Sequence, residues 1–280
     1  MFRTAVRHAV VIGLVALTCA GCGQQAVESP TGDGNLLATG PDNEALAAPP
    51  EYVSEILESS GGLDLWELQS RLHADGVVKL YQPDGSFYLS EHDLEVYPWS
   101  NAIRVEANEP RARFVWQLAE GRYQMLAGQA PLDVSPLAGS YETYADAVLH
   151  MVTAPVRLLD EEAELYREPA PVRIRGQWYQ RITAKYYPAR TASKERGGEA
   201  RPEVKFDWTD GIYFLNRGAG LIDMLWLGNE TRQEYVMVRG YDYPLAGPGV
   251  LRVPSKVEIF RADAEGNVKE RLAELDVSGG

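Results

Sequence analysis

Residues 141–152 read YETYADAVLHMV. Tyr141, Tyr144, Ala145, Val148, Leu149 and Val152 fall at i, i+3, i+4, i+7, i+8 and i+11, the spacing of one apolar helical face. Pro155 stops the run. This helix stands between two regions where apolar residues recur at every second position. An apolar helical face must be covered, and a neighbouring sheet is the surface that can cover it.

Upstream, Val78 and Leu80 alternate before a Pro83-Asp84-Gly85 turn, and Phe87 and Leu89 after it. That is the pattern of a hairpin. Leu94 and Val96, Ile103 and Val105, then Phe114, Trp116 and Leu118 continue it, and Glu120-Gly121-Arg122 turns the chain into Tyr123–Met125. Residues 76–127 are predicted to form an antiparallel meander of five or six strands. Downstream, Trp178, Ile182, Ala184 and Tyr186 share one face, with Gln180 among them. Ile212–Leu215 and Leu221–Leu227 form two strands joined by 216–220. Tyr235–Tyr243, Val250–Phe260 and Val268–Val277 complete the set, with Pro254 marking an edge or bulge. Residues 188–202 are a charged loop longer than a hairpin needs. Before the meander, Val53, Ile56 and Leu57 mark a helix introduced by Pro49-Pro50 and closed by Gly61-Gly62. Leu65, Leu68 and Leu72, with Trp66 beside them, allow a second.

The fold class predicted is α+β, one antiparallel sheet of ten or eleven strands with helices on one face. Two smaller β subdomains divided near 155–171 are the alternative.

Residues 1–48 differ in character. Arg3 and Arg7 precede an apolar run from Ala9 to Leu17, the layout of a secretory signal. It is shorter than the about 20 residues a spanning helix needs. Ala20-Gly21-Cys22 resembles the end of a bacterial lipoprotein signal, in which the cysteine is acylated and becomes the first mature residue. Cys19 stands where a leucine is usual. An ordinary signal cut near Ala20 is the alternative. Residues 1–21 are thus a lipoprotein signal peptide, 22–48 a Gly-, Pro- and Ser-rich flexible tether, and 49–280 the folded domain. About 26 tether residues have a root-mean-square reach of roughly 30 Å. Gly23 rather than aspartate after Cys22 gives a slight preference for the outer membrane, by resemblance.

The chain of 280 residues carries a net charge of −13. Loss of Arg3 and Arg7 with residues 1–21, which hold no acid, makes it −15. Such a surface disfavours nucleic acid or anionic lipid headgroups as electrostatic partners. Cys19 and Cys22 are the two cysteines, so the domain has no disulfide framework and no thiolate metal site. His73, His92 and His150 sit in no recognisable catalytic motif, and no G-x-S-x-G or phosphate-binding loop occurs. Glu91-His92-Asp93 reads as an exposed turn. The acid run 160–164 reads as a solvated face. No catalytic residue, cofactor or metal is predicted. A periplasmic hydrolase would need His92 or His150 beside carboxylates in a cleft.

The aromatic content of the strands has two readings. One is a packed core. The other is an apolar cavity lined by Trp116, Tyr144, Val148, Trp178, Ile182, Phe214 and Trp226. The element order, with Ser60-Gly61-Gly62-Leu63 before the first strand and Gly211–Leu215 followed by Leu221-Ile222-Asp223, resembles the LolA/LolB-type lipoprotein carriers. That resemblance implies a strongly curved half-barrel whose concave face is closed by helices, with lipid acyl chains between. The function expected is then a membrane-anchored exported lipoprotein of the cell envelope, facing the periplasm and binding lipid or a lipoprotein acyl chain. A non-catalytic envelope scaffold or interaction lipoprotein with a solid core is the alternative.

Overall fold

The computed structural model describes residues 50–109, 112–119, 122–128, 138–160, 163–186 and 208–277. The signal, Cys22 and the tether lie outside them, as does the charged loop 188–202.

Helix α1 (Glu51–Ser59) follows Pro50 and buries Tyr52, Val53, Ile56 and Leu57, the face set by the apolar spacing. Burial of each such side chain contributes about 1.5–3 kcal/mol. Gly61 and Gly62 end it at φ of 124° and 92°, where a side chain would be strained. A Cβ on Gly61 would also lie 2.8 Å from the Val250 carbonyl oxygen. The short α2 (Leu63–Glu67) buries Trp66, and Leu68, expected on its apolar stripe, is exposed. Trp66 is held by Nε1 donating to Ser60 Oγ at 3.2 Å.

The meander is β1 (Leu72–Tyr81), β2 (Phe87–Tyr97), β3 (Ala102–Glu109), β4 (Ala112–Ala119) and β5 (Arg122–Gly128). Helices α3 (Ala138–Val152) and α4 (Ala154–Arg157) follow. The second half is β6 (Ala163–Arg167), β7 (Val172–Ile174), β8 (Gln177–Tyr186), β9 (Asp210–Asn216), β10 (Leu221–Asn229), β11 (Glu234–Tyr241), β12 (Lys256–Ala262) and β13 (Val268–Val277). Pro254 falls in the loop before β12 rather than in a strand.

Among the described residues, thirteen strands join one antiparallel sheet in the order β5-β4-β3-β2-β1-β13-β12-β11-β10-β9-β8-β6, with β7 also on β8. The β1–β13 pairing, Val78 opposite Leu275, joins the two halves, so the chain is not divided into two β subdomains. The sheet is not the predicted half-barrel. The sheet is open, with β5 and β6 at its two ends and no pairing between them, and it is not strongly curled. Alternation tells which residues share a face. Curl depends on bulges and twist, which alternation does not encode. The register breaks lie at Val115/Trp116, Ile222/Met224, Ile259/Phe260 and Arg261/Ala262.

The main core lies between the sheet and the helices. It includes Val78, Leu94, Ile103, Trp116, Ile182, Tyr213, Leu225, Val238, Ile259 and Leu275, packed with Ile56, Tyr144, Val148 and Leu149. A second cluster of Ile174, Ile212, Phe214, Met224, Trp226, Tyr235, Met237, Phe260 and Ala262 belongs to β7 and β9–β12. The register puts its residues on the alternate positions: Leu225 pairs with Tyr213, and Trp226 with Ile212. These strands are therefore apolar on both faces.

Candidate functional site

The space between α3 and the sheet is where a ligand cavity was expected, and the described residues fill it. Trp116, Tyr144, Val148, Leu149 and Ile182 are each at most 1% exposed. Trp116 meets Tyr141 edge-on, ring centres 5.0 Å apart, and His92 packs edge-on against both Trp116 and Tyr144 at 5.4 Å. Among the described residues, a crevice lies between α1, α3 and the start of β10, bounded by Ile56, Met151, Leu221, Tyr243 and Arg252. Its volume is about 10 Å³, room for one water and no acyl chain.

The seven predicted lining residues divide into three groups. Trp116, Tyr144, Val148 and Ile182 lie together in the main core. Phe214 and Trp226 lie in the second cluster, where Trp226 stacks on Tyr235 at 5.6 Å and its Nε1 donates to the Asp263 carbonyl at 3.2 Å. Trp178 sits at the start of β8, beside the Arg175-Gly176 turn, and is half exposed.

The histidines are each in a different setting. Glu91-His92-Asp93 is in the middle of β2, not in a turn, and His92 is buried on the helix side. Burial pushes its imidazole down to about 3, so it is neutral under ordinary conditions. Its Nδ1 lies 3.3 Å from the Tyr144 hydroxyl, and its Nε2 has no hydrogen-bond partner among the described residues. His150 and Asp146 form a buried i,i+4 pair along α3, with Nδ1 to Oδ1 at 3.1 Å. His73 is on the solvent side, where its Nε2 meets Asp93 Oδ1 at 3.1 Å. Asp75 stands directly across from Asp93, and the three offer ligand atoms within 4.8 Å of one another. The signal for this group was available in sequence, as His73-x-Asp75 on one face of a strand. A solvated surface cluster of this kind is common without an ion. No nucleophile–base–acid set converges among these contacts.

Other buried polar groups hold the sheet together. Arg181 and Glu168 form a buried ion pair. Burial raises the Glu168 carboxyl, and Arg181 works against that rise. Gln180 donates to the Glu168 carbonyl. Asp223, at the β10 bulge, accepts from Asn216 Nδ2 at 2.8 Å, and burial raises its carboxyl above the usual range. Glu274 on β13 collects Lys79 at 3.1 Å, Lys256 at 3.4 Å and Arg271 at 3.2 Å.

The arrangement defines a layered protein: an open antiparallel sheet, helices packed on one face and, among the described residues, an interior filled by their own side chains. No family model matches the chain, and no curated relative matches it. Among solved structures, a LolA superfamily protein from Nitrosomonas europaea is similar, with 11% identity, TM-score 0.47, and coverage of 83% of this chain and 93% of that one. A DUF1329 family protein from Desulfovibrio piger is similar with 10% identity and TM-score 0.42, over 83% of this chain and 92% of its own. Likeness at this level says nothing about a ligand or a partner.

Proposed function

We propose that this chain is a non-catalytic interaction lipoprotein of the cell envelope, exported, acylated at Cys22 and working through its surface. The observation that carries the reading is the filled layer under α3, where the side chains of Trp116, Tyr144, Val148 and Ile182 occupy the place a carried lipid would need. The carrier reading, with lipid held in an internal cavity, is set aside on that ground. The signal-like run, the polar tether and a domain without cysteine support the anchor. Large apolar side chains are exposed at several places on the surface, Leu68, Phe87, Leu89, Trp99, Trp178 and Leu245, and in this reading some of them make the contact.

Labelling with radioactive palmitate tests the anchor. Wild-type chain is expected to take up label and sediment with membranes, and Cys22→Ser to do neither. Label and sedimentation that persist in Cys22→Ser contradict it.

A further inference from the structure

Three connections meet at one end of the sheet. The β7–β8 turn carries Arg173, Arg175 and Trp178, all exposed, with the Arg173 guanidinium 6.0 Å from the Trp178 ring centre. The β9–β10 turn carries exposed Arg217, whose backbone N–H donates to the Trp178 carbonyl at 3.0 Å. The two turns are therefore side by side. Further along the second turn, a Cβ on Gly220 would lie 2.5 Å from Ser59 Oγ at the end of α1. Arg252 carries the connection onward, with Nη1 donating to the Ser59 carbonyl and Nε to the Pro244 carbonyl, each at 3.1 Å. Leu245, next to Pro244 in the third connection, β11–β12 (242–255), is 90% exposed, and Trp178 is 51% exposed.

The charge of these three connections, though not of the neighbouring α1, is opposite to that of the chain. Against a total of −13, the exposed charges on these three connections are Arg173, Arg175 and Arg217, with Asp242 as the exposed acid. Turns at the opposite end carry Asp84, Glu230 and Glu265 exposed. The chain from residues 1–49 enters the fold at Pro50 through α1, whose first turn lies under Arg167 (guanidinium 5.2 Å from the Tyr52 ring centre) and whose last turn is tied to the same connections. The solvent side of α1 carries Glu51, Glu55 and Glu58, so a contact with anions is confined to the turns.

We infer that the Trp178–Arg217–Leu245 face is where the domain rests on an anionic lipid surface, a proposal that itself depends on the membrane-anchored reading. Tryptophan is favoured at the headgroup level because its ring is apolar and its N–H is polar. An exposed leucine beside it adds apolar area to bury, and arginines near an anionic surface each add about fivefold in affinity. Such a contact is weak by itself. A tether of roughly 30 Å reach raises its effective concentration, so the anchored domain adopts one orientation.

The test uses the chain from residue 22 with Cys22→Ser, which carries no acyl group and keeps every described residue. Vesicles of phosphatidylethanolamine and phosphatidylglycerol are compared with vesicles of phosphatidylcholine, by co-sedimentation and by quenching of tryptophan with brominated lipid. The expected result is binding to the anionic vesicles, reversed by high salt. Arg217→Glu weakens it about fivefold or more, and Trp178→Ala with Leu245→Asp removes the quenching, with melting temperature unchanged. No binding to either vesicle overturns the face while leaving palmitate labelling, and so the anchor, intact. Equal binding to both vesicles, unaffected by Arg217→Glu, overturns it as well, as does capture by a protein partner through the same residues without vesicle binding. Vesicle binding with no palmitate labelling of the wild type overturns the anchor and not the face.

Discussion

His92 Nδ1 on β2 lies 3.3 Å from the hydroxyl of Tyr144 on α3, a polar contact set within the main apolar layer. It ties the covering helix to the meander within the layer where a ligand cavity was expected. Trp116 packs edge-on against the same imidazole. Burial holds the imidazole down at about 3 and the Tyr144 hydroxyl well above its ordinary value, so both are neutral.

The His92 value sets the sign of a pH effect. Its folded value is below the unfolded one, so between about pH 3 and 6.5 the unfolded chain binds the extra proton. His92 therefore favours folding least at acid pH, and its contribution rises with pH up to about 6.5. Replacement by leucine is expected to flatten the acid side of the stability profile, measured by urea unfolding from pH 4 to pH 7. An unchanged slope would show that His92 is accessible to protons in the folded state.

Trp116→Ala is expected to cost about 3–5 kcal/mol, the range for emptying a filled aromatic position. Chemical unfolding measures it. The same variant should bind a small apolar dye more tightly than the wild type does, because it opens a cavity where Trp116 now packs.

Arg181→Met strands Glu168 in a buried position and is expected to cost about 3–5 kcal/mol. The double variant Arg181→Met with Glu168→Leu removes both charges and should recover most of that loss. A double variant as unstable as the single one would mean that the pair contributes more than mutual compensation.

Glu274 gathers three cations. Burial works to raise its carboxyl, but Lys79 and Lys256 outweigh it and hold the group below its usual value. A lowered folded value gives stability that is present above the unfolded value and lost as pH falls. Glu274→Gln should cost about 1–3 kcal/mol at neutral pH and much less at pH 3. Thermal melts at the two pH values compare them.

Much of the fold was legible in sequence because the periods are clear. The α1 and α3 stripes, the five-strand meander and the β9–β10 hairpin follow from spacing. His92 was misread because three polar residues in a row suggest a turn, although period two already placed it on the face of Leu94 and Val96. Trp178 was misread because an aromatic residue in a strand suggests burial. Its position after Arg175 and Gly176, both at positive φ, sets it at the mouth of a turn. Phe214 and Trp226, placed with Trp116 and Tyr144 in the cavity lining, fall in the second cluster instead, because Tyr213 and Leu225 beside them are equally apolar and alternation could not choose a face. Whether a cavity exists depends on how side chains from distant elements fill a volume, and no local pattern reports that.

Native mass spectrometry of the chain from residue 22 with Cys22→Ser, purified under gentle conditions, tests the filled interior most directly. The account predicts the bare protein mass and no lipid on extraction. A stoichiometric lipid adduct, displaced by no surface substitution at Trp178 or Leu245 but reduced by enlarging Val148 to Phe, would contradict it.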